Sequence, residues 1–199
     1  STLRIAELAL EVGFPPGVLN VVPGYGHTAG ARIADHPDIG KISFTGSTAT
    51  GRSIVKASAG NLKKLQLELG GKGPNIVFED ANIPMAVGGS AFAIFHNQGQ
   101  ACIAGSRLML HESIADAFLE KFIGLAKSIR LGDPLSPSTE MGPLTSKMHL
   151  DRVLAYCDVA VEQGGEILCG GKAPDDPALA DGYFVEPTIV RAKATDRVS

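Results

Sequence analysis

Cys102 and Glu68 are the residues of this chain whose types pair most readily into a reaction. Cys102 closes the run Asn97-Gln98-Gly99-Gln100-Ala101-Cys102, at the end of a long apolar stretch that predicts a helix. Glu68 lies 34 residues upstream, in Glu68-Leu69-Gly70-Gly71-Lys72. A thiolate can attack a carbonyl carbon and carry the product as a thioester, and a carboxylate can take a proton from the water that cleaves it. Gly99 and Gln100 allow a tight turn, which would leave the Cys102 backbone N–H free to face a developing oxyanion. Each residue also has a plainer reading: a buried thiol packing as a small hydrophobe, and a solvated glutamate before a turn. None of the five histidines (His27, His36, His96, His111, His149) stands at ligand spacing to another, which makes Glu68 the better candidate base. Cys157, in an apolar helix, and Cys169, in a strand, read as core.

A second group could hold a phosphate. In Phe44-Thr45-Gly46-Ser47-Thr48-Ala49-Thr50-Gly51 a strand runs through a glycine into a helix. Free N–H groups and the positive dipole end at such a helix start attract anions. Gly46 would let a ligand approach the backbone, and Ser47 adds a hydroxyl. The pattern is not GxGxxG. It also misses the phosphate loop GxxxxGK[ST], because Arg52 stands where lysine is needed. An ordinary capped helix remains the alternative. Glu68 ends a strand, so its side chain could point into the cleft at the carboxyl edge of a sheet, where α/β proteins bind ligands. Gly70 and Gly71 give thin backbone that a flat ligand could approach.

The elements that must position these groups alternate. Helical spacing covers residues 2–12 and 28–34, the stretch from Thr48 to about Ala59, Ile83 to about Gln98, Ser113–Ile129 with Ser113 as N-cap, and Thr145–Gln163. Strand patterns cover Val18–Val22, Lys41–Thr45, Leu62–Leu69, Asn75–Phe78 (predicted buried on both faces), Ser106–His111 and Glu166–Cys169. A last strand falls within Tyr183–Val190, and residues 131–143 and 171–182 are loops. Strands alternating with helices predict an α/β fold with a largely parallel sheet, divided near the Gly70-Gly71 turn.

Composition narrows the class. The chain of 199 residues is 44% hydrophobic and 20% charged, enough for a sizeable core in one domain or two. A net charge of −3 argues against a nucleic-acid partner. No apolar run reaches membrane-spanning length. Three widely spaced cysteines without a CxxC fit neither a disulfide framework nor a zinc site, and predict a reducing, cytoplasmic setting.

Taken together, these segments resemble the NAD(P)-dependent aldehyde dehydrogenase superfamily. Gly13-Phe14-Pro15-Pro16-Gly17-Val18-Leu19-Asn20 is similar to its GFP-x-GV-x-N segment, and Phe44-Thr45-Gly46-Ser47-Thr48 to its cofactor turn. Glu68-Leu69-Gly70-Gly71-Lys72 resembles its glutamate signature, and Gly99-Gln100-Ala101-Cys102 its cysteine signature. Glu140-Met141-Gly142-Pro143-Leu144 and Glu186-Pro187-Thr188 also fit, whereas Gly73 stands where Ser or Asn is more usual. The resemblance covers essentially the whole chain, in order.

The resemblance implies a fold: the end of a Rossmann-type cofactor domain over residues 1–69, followed by the first part of an α/β catalytic domain over residues 70–199. It implies Cys102 as the nucleophile that forms a thiohemiacetal and then a thioacyl-enzyme, and Glu68 as the base for hydrolysis. Phe44, Gly46, Ser47, Leu69 and Gly70 would bind NAD or NADP, with Gly46 and Ser47 at the pyrophosphate and the Leu69 carbonyl near the nicotinamide amide. The substrate would be a small-molecule aldehyde and the full-length protein a homo-oligomer. The family's oxyanion asparagine, its Lys-Pro-x-Glu segment and its Glu-x-Phe-Gly-Pro motif lie outside this chain. An internal fragment, weakly active or inactive alone, is therefore expected. Glu68 favours hydrolysis over transfer to coenzyme A, and the pair Cys102 and Glu68 argues against a non-catalytic relative. Arg52 argues against a phosphate-loop nucleotidase.

Overall fold

The computed structural model describes residues 1–193. The chain forms two compact units, Ser1–Gly70 and Gly71–Ser199. Among the described residues, the strands make three two-stranded ladders, two parallel and one antiparallel. Among the described residues, no helix is long and apolar enough to cross a membrane.

In the first unit, α1 (Thr2–Glu11) ends at Gly13, whose φ of +92° no side chain would favour. A π-helical turn over Gly26–Gly30 leads into the short α2 (Ala31–Asp35), which stops at His36 before Pro37. Strand β1 (Lys41–Gly46), helix α3 (Thr48–Ser58) and strand β2 (Lys64–Leu69) then form a parallel β–α–β arrangement, in which Lys41 pairs with Lys64 and Gly46 with Leu69. Along β2 the residues alternate: Leu65, Leu67 and Leu69 are half-buried, while Lys64, Gln66 and Glu68 are exposed.

The expected strand at Val18–Val22 does not form. Its β-branched residues have the right propensity, but no neighbouring strand pairs with them, and Val18 and Val22 are exposed. The strand expected from Leu62 begins later, at Lys64, because Leu62 adopts the left-handed conformation (φ +56°) and cannot extend. The flanking side chains hold this turn. Asn61 donates to the carbonyls of Pro37 (2.6 Å) and Ile39 (3.0 Å). Lys63 is buried and donates to the carbonyls of Ala34 (2.5 Å) and His36 (2.9 Å) at the end of α2. An ammonium there satisfies carbonyls that the helix end leaves unpaired. Replacing Lys63 with methionine keeps the stem and strands those acceptors. We expect a loss of about 2 kcal/mol, read as a lower midpoint of urea unfolding. An unchanged midpoint would mean that water replaces the ammonium at no cost.

In the second unit, β3 (Pro74–Val77) runs parallel to β4 (Arg107–Leu110), joined through α4 (Ile83–Phe95). Helices α5 (Ala115–Ser128) and α6 (Lys147–Glu162) follow, then β5 (Glu166–Cys169) pairs antiparallel with β6 (Ile189–Arg191). The core cluster comes from β3, α4, α5, β5 and β6: Val77, Val87, Ala91, Phe118, Phe122, Ala126, Cys169 and Ile189, with Leu108 and Leu110 of β4 packed against it. Phe118 is completely buried and packs at 5.8 Å, ring centre to ring centre, on Phe122, which in turn stacks on Phe95.

Several expectations change here. Strand β3 is buried on one side only, because Ile76 and Phe78 are exposed. Ser113 does not cap α5. It lies inside a 3₁₀ turn (Glu112–Ile114), where His111 accepts its N–H, and α5 begins with no side-chain cap. Asn82 and Ser146 do cap α4 and α6, accepting from the N–H groups of Met85 and His149. Helix α4 stops at Phe95, short of Gln98, where the backbone reverses hand.

Candidate active site

In the first unit, the suspected cofactor residues gather where β1 and β2 end together. Thr45 is opposite Glu68, and Gly46 opposite Leu69. Parallel strands joined by a helix must deliver their carboxyl ends to one edge, so Gly46, Ser47, Glu68 and Leu69 share that edge. Ser47 caps α3, its Oγ accepting from the Thr50 N–H at 3.2 Å and lying 2.9 Å from the Thr50 hydroxyl. The capped N–H of Thr50 leaves those of Thr48 and Ala49 with no acceptor inside the helix. Ser47, Thr48 and Ala49 are all exposed. Hydroxyl, helix N–H groups and dipole form a donor set that fits a pyrophosphate.

Gly46 has a role that its sequence did not reveal. A Cβ there would lie 2.5 Å from Cζ of Phe44, so the missing side chain makes room for that ring. The half-buried Phe44 folds against its own strand end. Leu69 likewise packs inward, its side chain against the buried Gly51 of α3. Glu68 points to the opposite, exposed face of β2, and Gly70 is exposed beside it.

In the second unit, Cys102 stands in the connection between α4 and β4. After Phe95 three consecutive residues are left-handed: Asn97 (φ +51°), Gln98 (φ +57°) and Gly99 (φ +71°). Glycine adopts this freely, asparagine tolerates it and glutamine does so at a cost. The Asn97 side chain donates to the Gln100 carbonyl (3.2 Å), and the Gln100 N–H donates to the Asn97 carbonyl (2.9 Å). A further turn, from the Ala104 N–H to the Ala101 carbonyl at 3.1 Å, encloses Cys102 and leaves it exposed. A Cβ on Gly71 would come within 3.8 Å of the Cys102 carbonyl oxygen, so the glycine segment runs beside the cysteine turn.

The other two thiols differ. Cys157 and Cys169 are buried, and burial pushes both thiols above the ordinary range. Cys169 donates to the Pro187 carbonyl at 3.3 Å. A thiol so placed is a poor nucleophile. The sequence reading placed a turn at Gly99 and Gln100 but missed Asn97 and Gln98, whose left-handed backbone helps to shape it. The signal available for them was the Asn-Gln-Gly order, in which Asn and Gly both favour left-handed backbone. Among the described residues, no group of three His, Cys, Asp or Glu could hold a metal ion.

The model of the aldehyde dehydrogenase family matches residues 1–198. The chain belongs to the aldehyde dehydrogenase family. An aldehyde dehydrogenase of Davidiella tassiana is 50% identical over 188 residues, which is 94% of this chain and 37% of that protein. The crystal structure of PnpE from Pseudomonas sp. WBC-3 is 74% identical and superposes with a TM-score of 0.96 over 99% of this chain and 40% of that one. Betaine aldehyde dehydrogenase of Staphylococcus aureus, solved in complex with NAD+, is 41% identical with a TM-score of 0.96, over 99% of this chain and 39% of that one. The chain thus spans about two fifths of the length of these proteins, and its fold is theirs.

Proposed function

We propose that the protein to which this chain belongs oxidises an aldehyde to a carboxylic acid with reduction of NAD or NADP, using Cys102 as nucleophile and Glu68 as base. The observation that carries this reading is the exposed Cys102, held on a turn built from three left-handed residues, while the other two thiols are buried. Such local strain persists where the surrounding structure maintains it, and it clusters at functional sites. Supporting it, PnpE has also been solved in complex with nicotinamide adenine dinucleotide, and the strand edge at Ser47 offers the donors a pyrophosphate needs. In this reading residues 1–69 belong to the cofactor domain and residues 70–199 to the catalytic domain.

The Cys102 thiolate adds to the aldehyde carbon and a C–S bond forms. The Cys102 N–H helps to hold the resulting oxyanion. Ser47, with the Thr48 and Ala49 N–H groups, would hold the pyrophosphate, and the Leu69 carbonyl would lie near the nicotinamide amide. The dinucleotide, when bound, supplies the acceptor for the hydride that leaves the substrate carbon. Glu68 then takes a proton from water as the water oxygen attacks the thioester carbonyl. The C–S bond breaks, the acid departs and Cys102 returns as thiolate. The chemistry requires a reduced thiol, and we place the protein in the cytoplasm. The test is the stoichiometry of the full-length protein over a panel of aldehydes: one carboxylic acid for each NADH or NADPH formed. Acyl transfer to coenzyme A with no free acid would refute hydrolysis.

A further inference from the structure

The cysteine turn is fastened to a distant segment of the same unit. The Gln100 side-chain oxygen accepts the Thr145 N–H at 3.2 Å, across 45 residues of sequence. Beside it, the Gln98 amide is assigned with its oxygen toward Gly142, which pairs that oxygen with a backbone N–H. It then accepts the Gly142 N–H at 3.2 Å and donates to the Asn97 carbonyl at 2.8 Å. The receiving segment is itself fixed. Met141, Gly142 and Leu144 are buried. The Leu144 N–H donates to the Tyr183 carbonyl (2.9 Å), and that of Met141 to the Arg130 carbonyl (3.1 Å). Glu140 accepts the Arg130 N–H at 3.0 Å and pairs with its guanidinium at 3.5 Å. The segment after Glu140 therefore has a structural job: it anchors the two glutamine amides that flank the left-handed turn.

We infer that Gln100 is a positioning residue for Cys102, and that Gln98, Gly142 and Thr145 complete the clamp. This rests on Cys102 being the nucleophile. Three left-handed residues in a row would relax toward ordinary backbone if released, and Cys102 lies two residues beyond Gln100. Gln100 touches neither the thiol nor substrate in this account. It acts by limiting the conformations of the turn, so its removal should lower the rate of thiol attack and leave cofactor affinity alone.

The test uses the full-length protein with Gln100→Leu, which keeps the size and removes the acceptor, and Gln100→Glu, which keeps the acceptor. Thr145→Pro removes the donor from the exposed, opposite side of the same bond. Hydrogen exchange of the Ala101–Ala104 amides reads the clamp without reference to activity. We expect exchange and kcat to move together in Gln100→Leu and Thr145→Pro. Exchange should rise, and kcat fall, by about tenfold, with the cofactor KM within about twofold. Gln100→Glu should recover most of both. Unchanged exchange, or faster exchange with unchanged kcat, would overturn the inference. If Cys102→Ala retained full activity, the nucleophile assignment would fail instead, and exchange would still report whether the clamp exists.

Discussion

Full-length protein carrying Cys102→Ala should lose aldehyde oxidation by a factor of about a thousand or more in kcat/KM, while its thermal midpoint stays within a degree or two of the wild type. The two halves of this expectation have separate physical grounds. Removing the thiol removes the covalent path, and neither buried cysteine can replace it. Cys157 is a buried residue of α6, and Cys169 is held against the Pro187 carbonyl. The fold should not notice, because Cys102 is exposed and contributes no core packing. Cofactor binding, measured by fluorescence titration, should also persist, since its proposed donors belong to Ser47, Thr48 and Ala49 in the first unit. A variant that oxidised aldehydes at the wild-type rate would remove Cys102 from the mechanism.

Glu68→Gln should separate the two halves of the reaction. The amide is the same size and sits at the end of β2 on an exposed face, so the strand and its pairing with Thr45 should be undisturbed. It cannot take a proton from water. Acylation should therefore proceed and deacylation stall. We expect a rapid burst of about one reduced cofactor per active site, then turnover slowed by a hundredfold or more, the usual contribution of a general base. Slow turnover without a burst would place Glu68 before acylation. Turnover at the wild-type rate would remove it from the mechanism.

Much of the local structure around the candidate site could be read in the sequence because its signals are local. Phe44-Thr45-Gly46-Ser47 announces a strand, a turn and a cap within a few residues, and the structure has β1, the Ser47 cap and α3 at those places. Burial of Cys157 and Cys169 was legible for the same reason: each stands within a periodic apolar run. What failed depends on distant partners. Val18–Val22 has strand propensity but pairs with no strand among the described residues. Ile76 and Phe78 look like core until their second face proves uncovered. Lys63 closes the end of α2 from 29 residues away, and no local pattern marks it for that. The Gln100–Thr145 bond spans 45 residues and leaves no periodicity behind. Gly46 shows the limit in miniature: its position was readable, but the ring that occupies its missing side chain was not.

The central claim is that substrate becomes bonded to the Cys102 sulfur. It is tested most directly by mixing full-length Glu68→Gln protein with an aldehyde substrate and oxidised cofactor, quenching in acid during the burst, and mapping peptides by mass spectrometry. The account predicts an acyl group on the peptide containing Cys102, in amount equal to the reduced cofactor formed, with Cys157 and Cys169 unmodified. A full burst with no acyl group on Cys102, or with the acyl group on another residue, would contradict it.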